Sequence, residues 1–425
     1  MLGAELPLVT ALPFVALLLV IALAPLAAPG WWHHNRNKAL VVVLVSAPIL
    51  VYLGIHAPEL LHEKFHEYIG FIVVIGALFV VTGGIHIQGS LAGTPLVNTG
   101  MLGLGAVLAN LLGTTGASVL LIRPLLRANQ RRKRVAHIVI FFIFIVANCG
   151  GLLTPVGDPP LLLGFLKGVP FDWTLRLWPQ WLLINGSLLV IFNLWDQWAL
   201  NRDEKELPGS QHEEVLIHEP LRITGGVETL VLLGIIVTIV LAGSPLVIVA
   251  LALVGYFAGS QDRRTKNVFS FGPIIEVAVL FAGIFATMAP VLEMLNAWAQ
   301  RPGFELTKPI HFFWASGALS SVLDNAPTYL AFAASAAGLQ GVAPHGAYIG
   351  TLALNPEAAK LLAAISTGSV FMGANTYIGN APNFMVKAIA EENGVKMPSF
   401  FGYLAYSVGI LLPLFVLVSV AFFRN

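Results

Sequence analysis

Two carboxylic acids stand inside long apolar stretches of this chain. Asp158 lies in Gly151-Leu-Leu-Thr-Pro-Val-Gly157-Asp158-Pro159-Pro160, and Asp324 in Ser320-Ser321-Val-Leu-Asp324-Asn325-Ala-Pro327-Thr328. An acid at membrane depth costs ~2.5 to 3.5 kcal/mol on insertion scales, so one that is kept there generally has a cation, a proton or a partner to bind. Each also has a local alternative. Asp158 precedes a proline pair, as an N-cap precedes the first helical turn, and Asp324 with Asn325 and Pro327 suits a cap and turn. A cap or a turn could be made by Ser or Asn, so Asp at both places favours binding of a cation or proton. Uncharged oxygens surround the acids in Asn110, Thr114, Thr115, Ser118, Thr154, Ser320, Asn325, Asn375, Thr376 and Asn380. Hard oxygen ligands with one or two carboxylates suit a small alkali cation such as Na+.

The elements that must position these groups are interrupted helices. The Asp158 segment has a counterpart in Gly373-Ala-Asn-Thr-Tyr-Ile-Gly379-Asn380-Ala381-Pro382, with Asn380 where the first copy has Asp158. In hydrocarbon such breaks are tolerated only where the freed backbone lines a cavity or is buried in protein. Paired breaks in corresponding halves are the mark of a transporter's binding site.

Of 425 residues, 57% are apolar and 11% charged, the composition of a polytopic membrane protein. The net charge of +1 gives no electrostatic case for nucleic acid, and the single Cys149 excludes an internal disulfide. At roughly 20 apolar residues per span, the sequence predicts about ten spans, at 6–28, 39–55, 68–87, 135–165, 179–200, 225–242, 245–259, 273–298, 361–389 and 400–423. The first lacks a basic flank and a small-residue cleavage site, so it reads as a span rather than a signal peptide. Two further stretches, 98–126 and 310–337, have polar centres and read as re-entrant hairpins.

Charge placement supports the hairpins. With the amino terminus outside, the loops carrying Arg36 and Lys38, Arg127 to Arg134, Arg202 to Arg222 and Arg263 to Lys266 all fall in the cytoplasm. Reading either hairpin as a single crossing spoils that agreement. Both termini are then outside, in what is expected to be a bacterial inner (plasma) membrane. The polar segment 201–224 becomes a cytoplasmic linker between residues 1–200 and 225–425. Each half contains three spans, a hairpin (about 98–126 and 310–337), a broken helix (about 135–165 and 361–389) and a closing span. Five crossings per half is an odd number, so the halves are expected to be inverted repeats. The fold class is all-α.

Two other residues and one motif could do chemistry. His86 and Glu293 occupy equivalent places at the ends of the third spans, where His86 could relay protons or sense pH or simply be interfacial. His62-Glu63-Lys64-Phe65-His66 matches H-E-x-x-H, which on a helix places two imidazoles on one face for zinc hydrolysis. An intramembrane zinc protease would follow, but the motif reads as part of a solvated loop before Tyr68, with no zinc site and no enzyme expected.

The pair Gly-Gly-Leu-Leu-Thr-Pro-Val-Gly-Asp-Pro-Pro and Leu-Asp-Asn-Ala-Pro resembles the Ion Transporter superfamily, and within it the NhaD-type sodium/proton antiporters and the citrate-transporter-like proteins. The resemblance covers nearly the whole chain and is most specific at the hairpins and breaks. It implies a transport region moving against a scaffold, commonly in a homodimer, with the lipid bilayer and small cations as partners and no cofactor beyond Na+ and H+. Thr154 and Asp158 match the antiporters' broken-helix signature, Asp324-Asn325 their acidic hairpin, and His86 the place of a functional histidine. The first hairpin departs from the antiporters. It has Gly113-Thr-Thr-Gly116 where they tend to have Asp-Asn, closer to sodium-coupled carboxylate transporters. Two mechanisms compete: exchange of Na+ or Li+ for H+ at Asp158 and Asp324, or symport of Na+ with citrate or a dicarboxylate. With no Lys or Arg at either break, the residues favour exchange.

Overall fold

Proline sets the start of several main helices. Pro58, Pro95, Pro159, Pro245, Pro309 and Pro356 each take the first helical position, where the missing N–H would have been unpaired in any case. The computed structural model describes residues 6–90, 92–206, 219–241 and 243–424, and in it the chain is an all-α polytopic membrane protein. The main helices are α1 Leu12–Ala27, α2 Asn35–His56, α3 Pro58–Thr82, α4 Pro95–Ala128, α5 Ala136–Ile145, α6 Pro159–Leu166, α7 Trp178–Glu206, α8 Gly226–Val240, α9 Pro245–Ala258, α10 Gly272–Ala299, α11 Pro309–Ser320, α12 Asn325–Leu339, α13 Pro356–Met372, α14 Ala381–Glu392 and α15 Phe400–Phe422. Shorter helical turns lie between them.

Among the described residues, eight segments are long and apolar enough to cross a membrane. One of these, α2, leaves Leu40, Val43, Leu44, Val51 and Ile55 more than half exposed, an apolar surface that suits lipid. By contrast α5 is apolar all round and buried from His137 to Ile145, so it runs through protein interior. Two expected spans are shorter than predicted: α8 and α9 have 15 and 14 residues, or about 20 Å each. Gly225, at φ 119°, marks the start of α8, and Ser244 caps the start of α9 through the Leu246 N–H.

The helix over 95–128 folds back on itself. A straight helix would hold Asn98 and Asn129 about 46 Å apart, yet their side chains exchange hydrogen bonds of 2.9 and 2.8 Å. The reversal occurs at Gly113, whose φ of 75° and ψ of 156° suit glycine almost alone. In the second half the reversal lies between α11 and α12, and the Phe312 and Phe332 rings meet across it at 6.3 Å. Both stretches are therefore hairpins, as the sequence predicts.

Both broken helices also form. The first runs α5, a 3-10 turn over Cys149–Leu153, then α6; the second runs α13, a turn over Gly373–Asn375, then α14. Each break closes on itself through paired glycines. A Cβ on Gly157 would collide with the Gly151 carbonyl, and one on Gly379 would lie 2.5 Å from the Gly373 carbonyl.

Three expectations are corrected. His62 to His66 lie within α3 rather than in a loop, because Pro58 starts the helix ten residues before Tyr68 and Glu67 neutralises the buried Lys64 at 2.9 Å. α3 then stops at Thr82, so His86 opens a strand instead of closing a span. That strand, β1 His86–Ser90, pairs antiparallel with β2 Glu219–Thr224, His86 opposite Thr224. The linker expected over 201–224 thus begins in α7, which extends to Glu206, and ends in β2; its residues 207–218, including Pro208 and Gly209, lie outside the described residues.

The basic loops gather on one face. Asn35 reaches the Gly272 carbonyl, Arg123 that of Asn267, Arg127 that of Ile87, Arg132 that of Gly93 and Arg263 that of Gly84. Arg134 binds Glu206 and Asp203, and these hydrogen bonds raise its guanidinium pKa. Beneath them a buried cluster anchors the first hairpin: Asp196 accepts from Asn98 and His137 and pairs with Arg132 at 2.5 Å.

Candidate functional site

Asp158 precedes α6 in extended conformation, but its side chain does not cap the helix. Instead it is 1% exposed and accepts three hydrogen bonds from three different elements. Thr114 Oγ1 in the first hairpin donates to Oδ1 at 2.9 Å, Asn380 Nδ2 in the second break donates to Oδ1 at 3.2 Å, and Asn325 Nδ2 in the second hairpin donates to Oδ2 at 2.5 Å. All three donors are neutral. Asp324 does the reverse: it caps α12, accepting the Ala326 N–H at 3.1 Å, and also lines a cavity of about 90 Å³ with Asp158, Thr114, Thr115 and Asn380. The cap available to both acids in the sequence is used by Asp324 alone.

The other candidates hold the backbone of the breaks. Thr154 Oγ1 donates to the Asn110 carbonyl at 2.5 Å, and Thr376 Oγ1 to the Ser321 carbonyl at 2.6 Å. Asn110 Oδ1 accepts the Leu153 N–H, and Ser321 Oγ accepts from Asn375 Nδ2, both at 2.8 Å. Each hairpin tip is thereby stitched to the break of its own half by a threonine hydroxyl and a second polar contact. The hydroxyl hydrogens of Thr154 and Thr376 are spent on position, while their oxygens keep their acceptor lone pairs.

Other residues complete the site. Asn148 accepts from Asn380 at 3.2 Å and donates to Asn383 at 2.7 Å, and Asn383 donates to the Gly373 and Thr376 carbonyls at 2.8 Å. Each asparagine lies three residues from a motif position, Gly151 or Asn380, and a polar residue that close to a break is the signal that could have found it. Asn325 Oδ1 is buried without a hydrogen-bond partner, although its amide nitrogen holds Asp158. A buried orphan acceptor next to a carboxylate fits a cation ligand.

His86 and Glu293 are not brought to this site. His86 Nδ1 lies 2.6 Å from Asn267 Oδ1 on the basic face. Glu293 lies 3.3 Å from His345 at the other side, beside an ionic cluster in which Glu67 pairs with Lys64 at 2.9 Å and Lys167 at 2.6 Å, and Glu63 accepts the Gly346 N–H. His62 and His66 pack ring to ring at 4.2 Å, and the described residues assemble no group of three His, Cys, Asp or Glu side chains that could hold a metal.

A larger cavity of about 450 Å³ adjoins the first and shares Phe79, Gly116 and Pro273 with it. Its walls include Asn35, Arg123, Asn267, Ser270, Glu276 and Glu392, residues of the basic face.

Fold and site together define a membrane transport protein: polytopic helices, two hairpins and two broken helices meeting around a buried acid. The chain belongs to the family described as "Putative citrate transport", whose model matches residues 3–246 and 244–423. No curated protein matches the chain. The family match agrees with the citrate-transporter-like side of the resemblance drawn from the sequence.

Proposed function

We propose that this protein is a secondary active transporter that carries a carboxylate of the citrate class together with a coupling cation, Na+ or H+, bound at Asp158. The observation that carries this reading is the Asp158 carboxylate, buried where both hairpins and both breaks converge and bonded, among the described residues, by the neutral donors Thr114, Asn325 and Asn380 alone. Neutral donors share its charge but do not cancel it. Moving that charge across the membrane is costly unless a cation or proton travels with it. Asp324 and the free Asn325 Oδ1 would complete an oxygen site for Na+. The family description supports an organic anion as the other passenger.

In this reading residues 1–200 and 225–425 are inverted repeats joined on the cytoplasmic side by the stretch that starts in the last turn of α7 and ends in β2. The matched stitches from Thr154 and Thr376 to the hairpin tips support this. The gathering of the basic loops on one face supports a cytoplasmic side there, with both termini outside. A homodimer and a bacterial inner-membrane location rest on the resemblance.

Exchange of Na+ or Li+ for H+ is the second reading. It is favoured by one observation, that among the described residues no lysine or arginine lines the 90 Å³ cavity around the two acids. Both readings are tested on one proteoliposome preparation. Labelled citrate and succinate uptake is measured with and without an imposed Na+ or pH gradient, beside the loss of a pH gradient on adding Na+. Gradient-driven citrate or succinate uptake, absent in Asp158→Asn, is the expected outcome. Na+-driven loss of the pH gradient with no carboxylate uptake would replace it with exchange.

A further inference from the structure

The two adjoining cavities differ fivefold in size, and only the larger has the volume of an organic ligand site. About 90 Å³ around Asp158 suits an ion and its waters, whereas sites for small organic molecules run from roughly 300 to 1,000 Å³. The neighbouring 450 Å³ falls in that range. Its wall on the first hairpin is one helix face, Gly116, Val119 and Arg123, at spacings of three and four residues.

Arg123 is the basic residue on that wall. It is half-buried and makes one hydrogen bond among those of the described residues, NH1 to the Asn267 carbonyl at 3.2 Å. A guanidinium offers five N–H donors in a planar fork that matches a carboxylate, so most of its capacity is unspent and adjoins the cavity. The acids on the same walls are unequal. Glu276 is paired with Lys38 at 2.8 Å, whereas the charge of Glu392 acts on Arg123 itself, so Glu392 competes with an incoming anion for the guanidinium. The first turn of α10, at Gly272 and Pro273, also lines the cavity and adds the positive end of a helix dipole.

We propose that the carboxylate substrate binds in this larger cavity, with a carboxylate group on the Arg123 guanidinium, and that the coupling cation binds separately at Asp158. The inference rests on the carboxylate-transport reading above. Two and a half helical turns, roughly 13 Å, separate Arg123 from Thr114 along the hairpin arm. The cationic residue missing from the breaks is thereby supplied at the neighbouring cavity. Anion and cation occupy adjoining compartments, and neither needs the other's ligands.

The test uses the full-length protein in proteoliposomes, with citrate and succinate as probes and Na+ activation measured alongside. Arg123→Gln should raise the carboxylate KM about tenfold, as loss of a charge-assisted fork implies, with kcat and the Na+ activation constant within about twofold of wild type. Arg123→Lys should recover only part of the affinity, because a point charge lacks the fork. Glu392→Gln should act with the opposite sign and lower KM about two- to threefold, by relieving repulsion of the anion. An unchanged KM in Arg123→Gln, or Na+ activation shifting as far as KM, would overturn the separate sites while leaving carboxylate transport standing. Wild-type protein that takes up neither probe but exchanges Na+ for H+ would overturn the transport reading and this inference with it. Unaltered Na+ activation in each variant shows that it is folded.

Discussion

The two broken helices are built alike and charged differently. Both close through a glycine pair, both are stitched to a hairpin tip by a threonine hydroxyl, and both place an Asx residue in extended conformation before the second helix. In the first break that residue is Asp158; in the second it is Asn380, and Asn380 donates to Asp158. The hairpins carry the complementary exchange, Gly113-Thr114 against Asp324-Asn325, and Thr114 and Asn325 both donate to the same carboxylate. Backbone geometry is thus repeated while charge is not. The fold supplies a symmetric cradle, and single side chains decide which sign of charge it holds.

The largest expected break in that pattern is Asp158→Asn. It removes the charge and replaces one acceptor oxygen by an amide donor that faces donors, and cation-driven uptake should fall roughly 100-fold or more, as loss of charge-assisted contacts to the coupling ion implies. Uptake in vesicles against a thermal-unfolding control measures this. Asn380→Asp makes the breaks alike in charge and sets a second carboxylate where a donor now lies 3.2 Å from Asp158 Oδ1. Repulsion on the order of 4 kcal/mol at this range should lower both uptake and melting temperature, and raised Na+ should restore part of each. Gly113→Ala should cost ~1–3 kcal/mol in unfolding experiments, because the turn holds φ at 75° and an added Cβ would lie 3.2 Å from the Val156 carbonyl. Asp324→Asn should be mildest in stability, within about 0.5 kcal/mol, since asparagine caps as well as aspartate. Its effect should appear in the Na+ activation constant. If Asp324→Asn abolishes uptake and Asp158→Asn does not, the roles given to the two acids are reversed.

Much of this was legible in the chain, and what was not has a common cause. Hairpins and breaks show because Gly113, Gly157, Gly379 and the nearby prolines interrupt apolar sequence locally. Residues whose partners are far away in sequence do not show. His86 looked like the end of a span, but its partner Asn267 comes 181 positions later. Asn148 sits in an apolar run, yet its partner Asn383 is 235 positions away. The H-E-x-x-H segment reads as a loop in sequence because its charges look solvated, whereas Lys64 pairs with Glu67 in a buried site of the fold. The cap is the subtlest case. Local sequence allowed it to both acids, and only the meeting of the two halves removed it from Asp158.

The ionic cluster on the face away from the basic loops bears on timing. Lys167 follows directly on α6, the helix that Asp158 begins, and holds Glu67 of α3 at 2.6 Å. A displacement of Asp158 relative to α3 has to part these buried charges or carry α3 along. Parting a buried pair costs ~3–5 kcal/mol, which slows a step by roughly two to four powers of ten. In the proposed transport cycle the contact would act as an escapement, setting how often the first break could move however steep the gradient that drives it.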